Sequence, residues 1–355
     1  MRRPHGTYTS ICSLKIRLEL SVKIWYTFDI RTNFDRTDHL TESRYKMKIV
    51  FMGTPDFAAT ILAKLIAEKH DVSLVVSQPD RPVGRKKELF PTPVKKVALE
   101  HDIPVFQPES IKSDHEQVLA IQPDLIITAA YGQFIPKKLL DAPKFGCVNV
   151  HASLLPKYRG GASIHRAIIE GENETGITIM YMDERMDTGD IILQRSLPIF
   201  DADDVGTMFE KLSHLGAQLL IETLPLLESE IAPRTPQNEA HKTYAWNITR
   251  EQEAIDWNKP ARSVFNHIRG LHPWPVAYTK IGDVHVKVFK SIELQENHHA
   301  SPGKIVQVSG EGIDVACKDH QIIRLLDVQL SGKKRMPLKD LLNGVHPFVP
   351  GEIFD

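Results

Sequence analysis

From residue 47 onward the chain alternates short apolar runs with amphipathic stretches. Lys48 to Met52 reads as a strand. Gly53-Thr-Pro-Asp-Phe57 turns it into a helix expected to run to about Lys69. In that turn Thr54 suits an N-cap, Pro55 the first helical position, and Asp56 the positive end of the helix dipole. Val72 to Ser77, Asp124 to Ala130 and Gly146 to His151 read as further buried strands, with helical segments between them. Continuous apolar strands separated by helices predict an α/β fold, a Rossmann-like doubly wound parallel sheet covered on both faces. A helix after residue 160, a hairpin around Ile177–Ile199 and a long helix over about Val205–Glu228 complete this first domain, expected over 47–229.

Periodicity then fails. Ser229 to Ile248 carries Pro233, Pro236 and a polar run, the mark of a connector, placed at 230–249. Over 250–355 the character changes. A short helix near Ala261–Gly270 precedes Pro273-Trp-Pro275, followed by strands at Val276–Ile281, Val284–Lys290, Lys304–Val308, Ile313–Cys317 and Gln321–Val328. Five short strands with glycine-containing turns suggest a small OB-like β-barrel.

The first 46 residues belong to neither pattern. They are rich in Arg, Thr and Ser and lack the compact apolar stretch of a secretory signal. Glu19, Asp29, Asp35, Asp38 and Glu42 argue against a mitochondrial transit segment. The preferred reading is a poorly ordered extension or a mis-set start, with the working protein opening near Met47.

Composition narrows the class. The 355 residues are 42% apolar and 25% charged, an ordinary globular balance, and the net charge of −1 offers no global attraction for nucleic acid. Three scattered cysteines, Cys12, Cys147 and Cys317, give neither metal spacing nor a disulfide framework, which fits a reducing compartment. No apolar run approaches the length of a membrane span. A cytoplasmic, metal-free protein acting as a monomer is expected.

The chemistry gathers late in the first domain. Phe145-Gly-Cys-Val-Asn-Val-His151 ends in Asn149 and His151, which strand alternation puts on one face. Ala-Ser-Leu-Leu-Pro-Lys-Tyr-Arg-Gly-Gly161 follows at once, and Met182 to Asp190 brings a carboxylate cluster containing Asp187. An amide, an imidazole and a carboxylate can hold a developing oxyanion, move a proton and orient the imidazole, as acyl transfer to an amine requires. Each residue alone has a plain structural explanation; the combination does not. The first βα turn has Gly53 but lacks the further glycines of G-x-G-x-x-G, which disfavours nicotinamide chemistry. Two basic patches, Arg81-Pro-Val-Gly-Arg-Lys-Lys87 and Lys333-Lys-Arg335, are candidate phosphate contacts.

Gly53-Thr-Pro-Asp-Phe-Ala58, Gln78 to Arg85, Ala130-Tyr-Gly132, Asn149 to Gly160, Asp187-Thr-Gly-Asp190, Ile255-Asp-Trp257, Pro273-Trp-Pro275 and Gly332-Lys-Lys334 together resemble the methionyl-tRNA formyltransferases, within the folate-dependent formyltransferases, from about Met47 to the C-terminus. The resemblance implies formyl transfer from 10-formyltetrahydrofolate to the amino group of methionyl initiator tRNA, for translation initiation. It maps a catalytic trio onto Asn149, His151 and Asp187. It maps folate binding onto Ser153, Leu154, Leu155 and Pro156, and tRNA binding onto Arg81, Arg85, Lys86, Lys87, Lys333, Lys334 and Arg335. Ser163 departs from the family pattern, which commonly has proline there. The alternatives are a formyltransferase or hydrolase acting on a small-molecule amine, and a non-catalytic RNA-binding protein. The basic loop and second domain weigh against the first, and the trio against the second.

Overall fold

The computed structural model describes residues 46–83 and 88–355, so the expected extension falls, apart from Lys46, outside the described residues. In chain order the first domain opens with β1 (Lys48–Gly53), α1 (Asp56–Ala67), β2 (Asp71–Val76), a small hairpin of β3 (Arg81–Val83) and β4 (Glu88–Phe90), and α2 (Pro93–Glu100). Then come β5 (Val105–Phe106), α3 (Glu116–Ala120), β6 (Leu125–Ala129), α4 (Lys137–Leu140) and β7 (Cys147–His151). It closes with α5 (Ser163–Ile169), β8 (Glu174–Tyr181), β9 (Ile191–Pro198) and α6 (Val205–Glu228).

The sheet order is β5-β2-β1-β6-β7-β8-β9. The first five strands are parallel, and β8 and β9 extend the sheet antiparallel, as the expected hairpin. The two-residue period shows in the core. Ile49 and Phe51 pack with α1 and α6 residues such as Leu62 and Leu220, whereas Val50 and Met52 face Val118 and Leu139 on the other side. Burial on both faces is why these strands are apolar without interruption.

Thr54 does not cap α1. Pro55 is the N-cap residue, and the Thr54 hydroxyl instead donates to Tyr131 O at 3.2 Å, tying the end of β1 to the end of β6. Ser163 is the first residue of α5, where a proline is tolerated because the N–H has no helical partner; the departure from the family pattern leaves the helix intact.

The second domain comprises α7 (Ala261–Arg269), β10 (Ala277–Ile281), β11 (Val284–Leu294), β12 (Ile305–Ser309), β13 (Gly312–Ala316), β14 (Ile322–Leu330), β15 (Met336–Pro337) and α8 (Leu338–Leu341). All five expected strands form one antiparallel β domain, which stays open rather than closing into a complete barrel. The antiparallel path is β10-β11-β14-β13-β12 with β15 beside β14, and among the described residues no ladder joins β10 to β12. Instead α7 packs on β11 and β14, and Ala261, Val264 and Ile268 complete the core. A helix covers the apolar face that a closing strand would otherwise shield.

The two domains are pinned at the start of α6. Asp204 caps that helix by accepting from the Thr207 N–H at 2.8 Å, and Thr207 Oγ1 accepts in return from the Asp204 N–H at 3.0 Å. Asp204 also meets His272 Nδ1 at 2.9 Å. The buried Arg269 donates to Phe200 O at 2.6 Å and Asp203 O at 3.1 Å. One carboxylate thus serves a helix end and a domain contact. Asp204→Ala should destabilise the protein by about 0.5–2 kcal/mol in denaturant unfolding, with Asp204→Asn, which can still cap, closer to wild type. Equal midpoints for wild type and Asp204→Ala would show the cap to be energetically idle.

Candidate active site

A cavity of about 440 Å³ opens at the carboxyl ends of β6 and β7. Ligands in open α/β sheets bind in such a crevice, and the volume lies in the ordinary range for small-molecule sites. Its walls include Phe57, Ile135, Met180 and Phe209, with Gln133, Asn149, His151 and Asp187 as polar groups.

Strand register sets Asn149. It lies opposite Thr128 on β6, and the Thr128 hydroxyl donates to Asn149 Oδ1 at 2.9 Å. With the amide oxygen engaged, the Asn149 NH₂ is the end left for a ligand. His151, 7% exposed, closes β7. Its Nε2–H donates to Tyr158 O at 3.1 Å, so Nδ1 carries the lone pair of the neutral ring and faces Asp187 Oδ2, 3.7 Å away. The Tyr158 carbonyl, rather than the expected Asp187, therefore selects the tautomer. Tyr158 is itself fixed: its hydroxyl donates to Glu172 at 2.8 Å with Glu170 also within reach at 3.0 Å, and burial with these carboxylates keeps the phenol protonated.

Asp187 is held more tightly than a loop carboxylate usually is. Its Oδ2 accepts from the Gly160 N–H at 2.8 Å, and its backbone is left-handed, with φ of 53°. Aspartate is one of the few residues besides glycine that tolerates this conformation. Gly160 has φ of 119°, and a Cβ there would come within 2.8 Å of Ala245 O, so only glycine fits. Gly189 is equally constrained: a Cβ would lie 1.9 Å from Tyr181 O.

Two residues that sequence reasoning passed over complete the arrangement. Gln237, in the connector, donates to Asp187 O at 2.9 Å and Gly189 O at 2.8 Å, gripping the loop by its carbonyls. Arg159, fully buried, donates to Gln237 Oε1 at 3.1 and 2.7 Å and to Glu239 at 2.7 Å. Hydrogen bonds from Arg159 and Lys242 hold the Glu239 carboxyl down at about 2, so this partner stays charged through the neutral range. The sequence signal was slight: an arginine inside an otherwise apolar and glycine-rich turn, and a glutamine in a polar connector.

Asn149, His151 and Asp187 all line the cavity; Ser153, Leu154, Leu155 and Pro156 do not. Ser153 is buried, and its hydroxyl donates to Lys157 O at 2.7 Å. Thr178 Oγ1 donates to Ser153 O at 2.7 Å, and Gln194 Nε2 donates to Leu155 O at 3.0 Å. The segment braces the turn between His151 and Gly160 from behind. Arg81 is exposed, with Nη2 3.8 Å from Glu109, while Arg85, Lys86 and Lys87 lie outside the described residues. Lys333 and Lys334 are exposed; Arg335 donates to Asp327 at 2.9 and 2.7 Å and sits 4.2 Å over the Phe289 ring. Arg81, Lys333, Lys334 and Arg335 do not line the cavity, whereas Arg185 does. Among the described residues no cluster of three His, Cys, Asp or Glu side chains could hold a metal, and no helix is long and apolar enough to cross a membrane.

The family model described as "Formyl transferase" matches residues 47–224, and that described as "Formyl transferase, C-terminal domain" matches 247–346. The chain belongs to the formyl transferase family. Among its relatives, methionyl-tRNA formyltransferases of Staphylococcus aureus strains RF122 / ET3-1 and MW2 are each 53% identical over 307 residues, 86% of this chain and 98% of the relative. Two solved structures share the fold. One is HypX of Aquifex aeolicus in complex with tetrahydrofolic acid (TM-score 0.61, 18% identity, covering 88% of this chain and 51% of HypX). The other is the Helicobacter canadensis N-formyltransferase with folinic acid and dTDP-3-aminofucose (TM-score 0.61, 19% identity, covering 79% and 98%).

In this formyltransferase neither Arg159 nor Gln237 lines the cavity, yet Gln237 holds the Asp187 loop by its backbone carbonyls. Gln237→Ala should lower the formyl-transfer kcat by about 10- to 100-fold, the usual cost of misplacing a reacting group by an ångström, while shifting KM little. Gln237→Glu keeps the acceptor for Arg159 but loses both donors, and should be impaired likewise. Full activity in both would show that the Asp187 loop holds its place without this grip.

Proposed function

We infer that this protein transfers a formyl group from 10-formyltetrahydrofolate to the α-amino group of methionyl initiator tRNA, as a cytoplasmic, metal-independent monomer. The observation that carries the reading is the convergence of Asn149, His151 and Asp187 on one cavity, supported by identity to named methionyl-tRNA formyltransferases over nearly their whole length.

The cavity suits a flat, partly apolar cosubstrate. Its walls are mixed aromatic and aliphatic, with amides at Gln133 and Asn149, and the wall residue Tyr131 has a buried hydroxyl unpartnered among the described residues. Burial pushes that phenol up to about 12, so it remains a donor at any physiological pH. On this reading, Ser153 to Pro156 shape the folate site by bracing the His151–Gly160 turn, and contact comes from the cavity wall.

10-Formyltetrahydrofolate supplies the formyl carbon. Aminoacyl esterification lowers the pKa of the methionine amine below that of a free α-amine, near 8, and so frees the nucleophile. As it attacks, negative charge grows on the formyl oxygen, and the Asn149 NH₂ is the donor placed to receive it. His151, its Nε2–H held by Tyr158 O, presents Nδ1 to the cavity and to Asp187. Protonated there, it adds a second donor, and the Asp187 carboxylate stabilises the imidazolium. The His151–Asp187 pair takes the proton leaving the amine, directly or through water, and returns one to the folate nitrogen as the tetrahedral adduct collapses, so that the bond from the formyl carbon to that nitrogen breaks and tetrahydrofolate leaves.

Arg81, Arg85, Lys86 and Lys87 in the first domain, and Lys333, Lys334 and Arg335 in the second, supply the phosphate contacts. Arg335 is the weakest member because Asp327 already engages it. A small-amine formyltransferase shares the trio but has no use for such patches.

The deciding experiment offers radiolabelled formyl donor to charged initiator tRNA, charged elongator methionyl-tRNA and small amines in parallel. Label confined to the initiator is expected; label only on small amines would overturn the reading. Asn149→Ala should cut kcat by about 10²–10³-fold with donor KM little changed. A loss within a few-fold removes Asn149 from the oxyanion. Neutralising Lys86 and Lys87 should weaken tRNA binding and flatten its salt dependence, by about one unit of log–log slope per lost phosphate contact. An unchanged slope would take those lysines out of the RNA interface.

A further inference from the structure

Two large aromatic side chains stand in solvent beside the cavity with no packing role to explain them. Tyr244 is 44% exposed and Trp246 61% exposed, and their rings are stacked, 5.4 Å between centroids and 14° between planes. The segment that carries them is fixed. Ala245 between them is fully buried: its N–H donates to Arg159 O at 2.7 Å, and its carbonyl accepts from the Ala162 N–H at 3.0 Å. Arg166 donates to Trp246 O at 3.4 Å and to Gln252 at 2.8 Å. Alternation along this extended stretch throws residues 244 and 246 to one side. The result is a preformed aromatic stack on a rigid backbone.

Trp246 lines the same cavity as Asn149, His151 and Asp187. That position limits what can lie on it. An amine that reaches the trio while esterified to the terminal ribose of an RNA keeps the terminal base only a few bonds away, at the cavity mouth. Four residues beyond Trp246, Arg250 lies 4.3 Å over the Tyr278 ring and shares a second cavity, of about 370 Å³, with His285, Lys287 and Ser331. Arg250, which also pairs with Glu253, and Lys287 thus put basic groups on the second domain a short way along the chain from the aromatic pair. Every nucleobase has a π-face, and base–aromatic stacking needs no particular hydrogen-bond pattern.

We propose that the Tyr244–Trp246 stack is the platform for the 3′-terminal nucleobase of the aminoacylated RNA, setting the reach of the esterified amine into the trio. This rests on the transfer to methionyl-tRNA inferred above, and it assigns that substrate's terminal base a place on the connector.

The test is steady-state formylation of methionyl initiator tRNA by Trp246→Ala, Tyr244→Ala and Trp246→Phe, varying tRNA and 10-formyltetrahydrofolate separately, with thermal melts to establish that each variant is folded. Trp246→Ala should raise the KM for methionyl-tRNA by about 5- to 100-fold, the range for losing one base–aromatic stack. Tyr244→Ala should do so less, Trp246→Phe should recover most of the affinity, and the KM for the formyl donor should stay put. A rise in donor KM with an unchanged tRNA KM would place the pterin, not the base, on the stack and overturn the proposal. So would unchanged KM values for both substrates. Wild-type protein that formylates small amines but no charged tRNA would instead sink the parent reading, and this proposal with it.

Discussion

The site depends on one hydrogen bond, from the Gly160 N–H to Asp187 Oδ2 at 2.8 Å. It joins the turn that follows β7 to the loop between β8 and β9, two segments that would otherwise leave the sheet separately. Each end is possible only through its backbone. Gly160 sits where any Cβ would strike Ala245 O, and Asp187 adopts a left-handed conformation that few side chains accept. A charge-assisted bond at a largely buried carboxylate is stronger than one in water, so it can keep the carboxylate 3.7 Å from the imidazole against the entropy of a nine-residue loop.

Around that bond the connector acts as a third strap. Gln237 holds the carbonyls of the Asp187 loop, Arg159 holds Gln237, and Ala245 bridges back to Arg159. The segment that links the two domains therefore also builds one wall of the cavity, with Trp246 and Asn247 among its lining residues. The second domain is fixed independently, by Arg269, His272 and Arg262 reaching the turn that begins α6. The connector thus both joins the two domains and steadies the loop that carries Asp187.

Much of this was legible beforehand. The strands of the sheet other than the two-residue edge strand β5, α6 from Val205 to Glu228 and all five strands of the second domain stood where apolar periodicity put them, because burial on one or two faces writes itself directly into residue type. Asn149 and His151 were legible too, since strand alternation and the open carboxyl ends of parallel strands are local rules. Thr54 was misread as a cap because a hydroxyl can serve the helix or the neighbouring strand, and the proximity of Tyr131 decided for the strand. The expected OB-like β domain forms, but strand count does not reveal that its sheet stays open with α7 packed on β11 and β14. Ser153 to Pro156, which the family resemblance gives to folate binding, lie in the turn between His151 and Gly160 and outside the cavity's lining.

The sequence by itself determined the element types, the layered α/β architecture, the family and the three polar groups of the trio, because each is fixed by residue identity and short-range spacing. Tertiary structure alone decided that Tyr158 rather than Asp187 sets the imidazole's tautomer. It also decided that a buried arginine steadies a glutamine 78 residues away, and that two connector aromatics stand open beside the cavity. The physical reason is that these are contacts between segments distant in the chain. Their geometry depends on how strands register and loops cross in three dimensions, which no local pattern of hydrophobic and polar residues encodes.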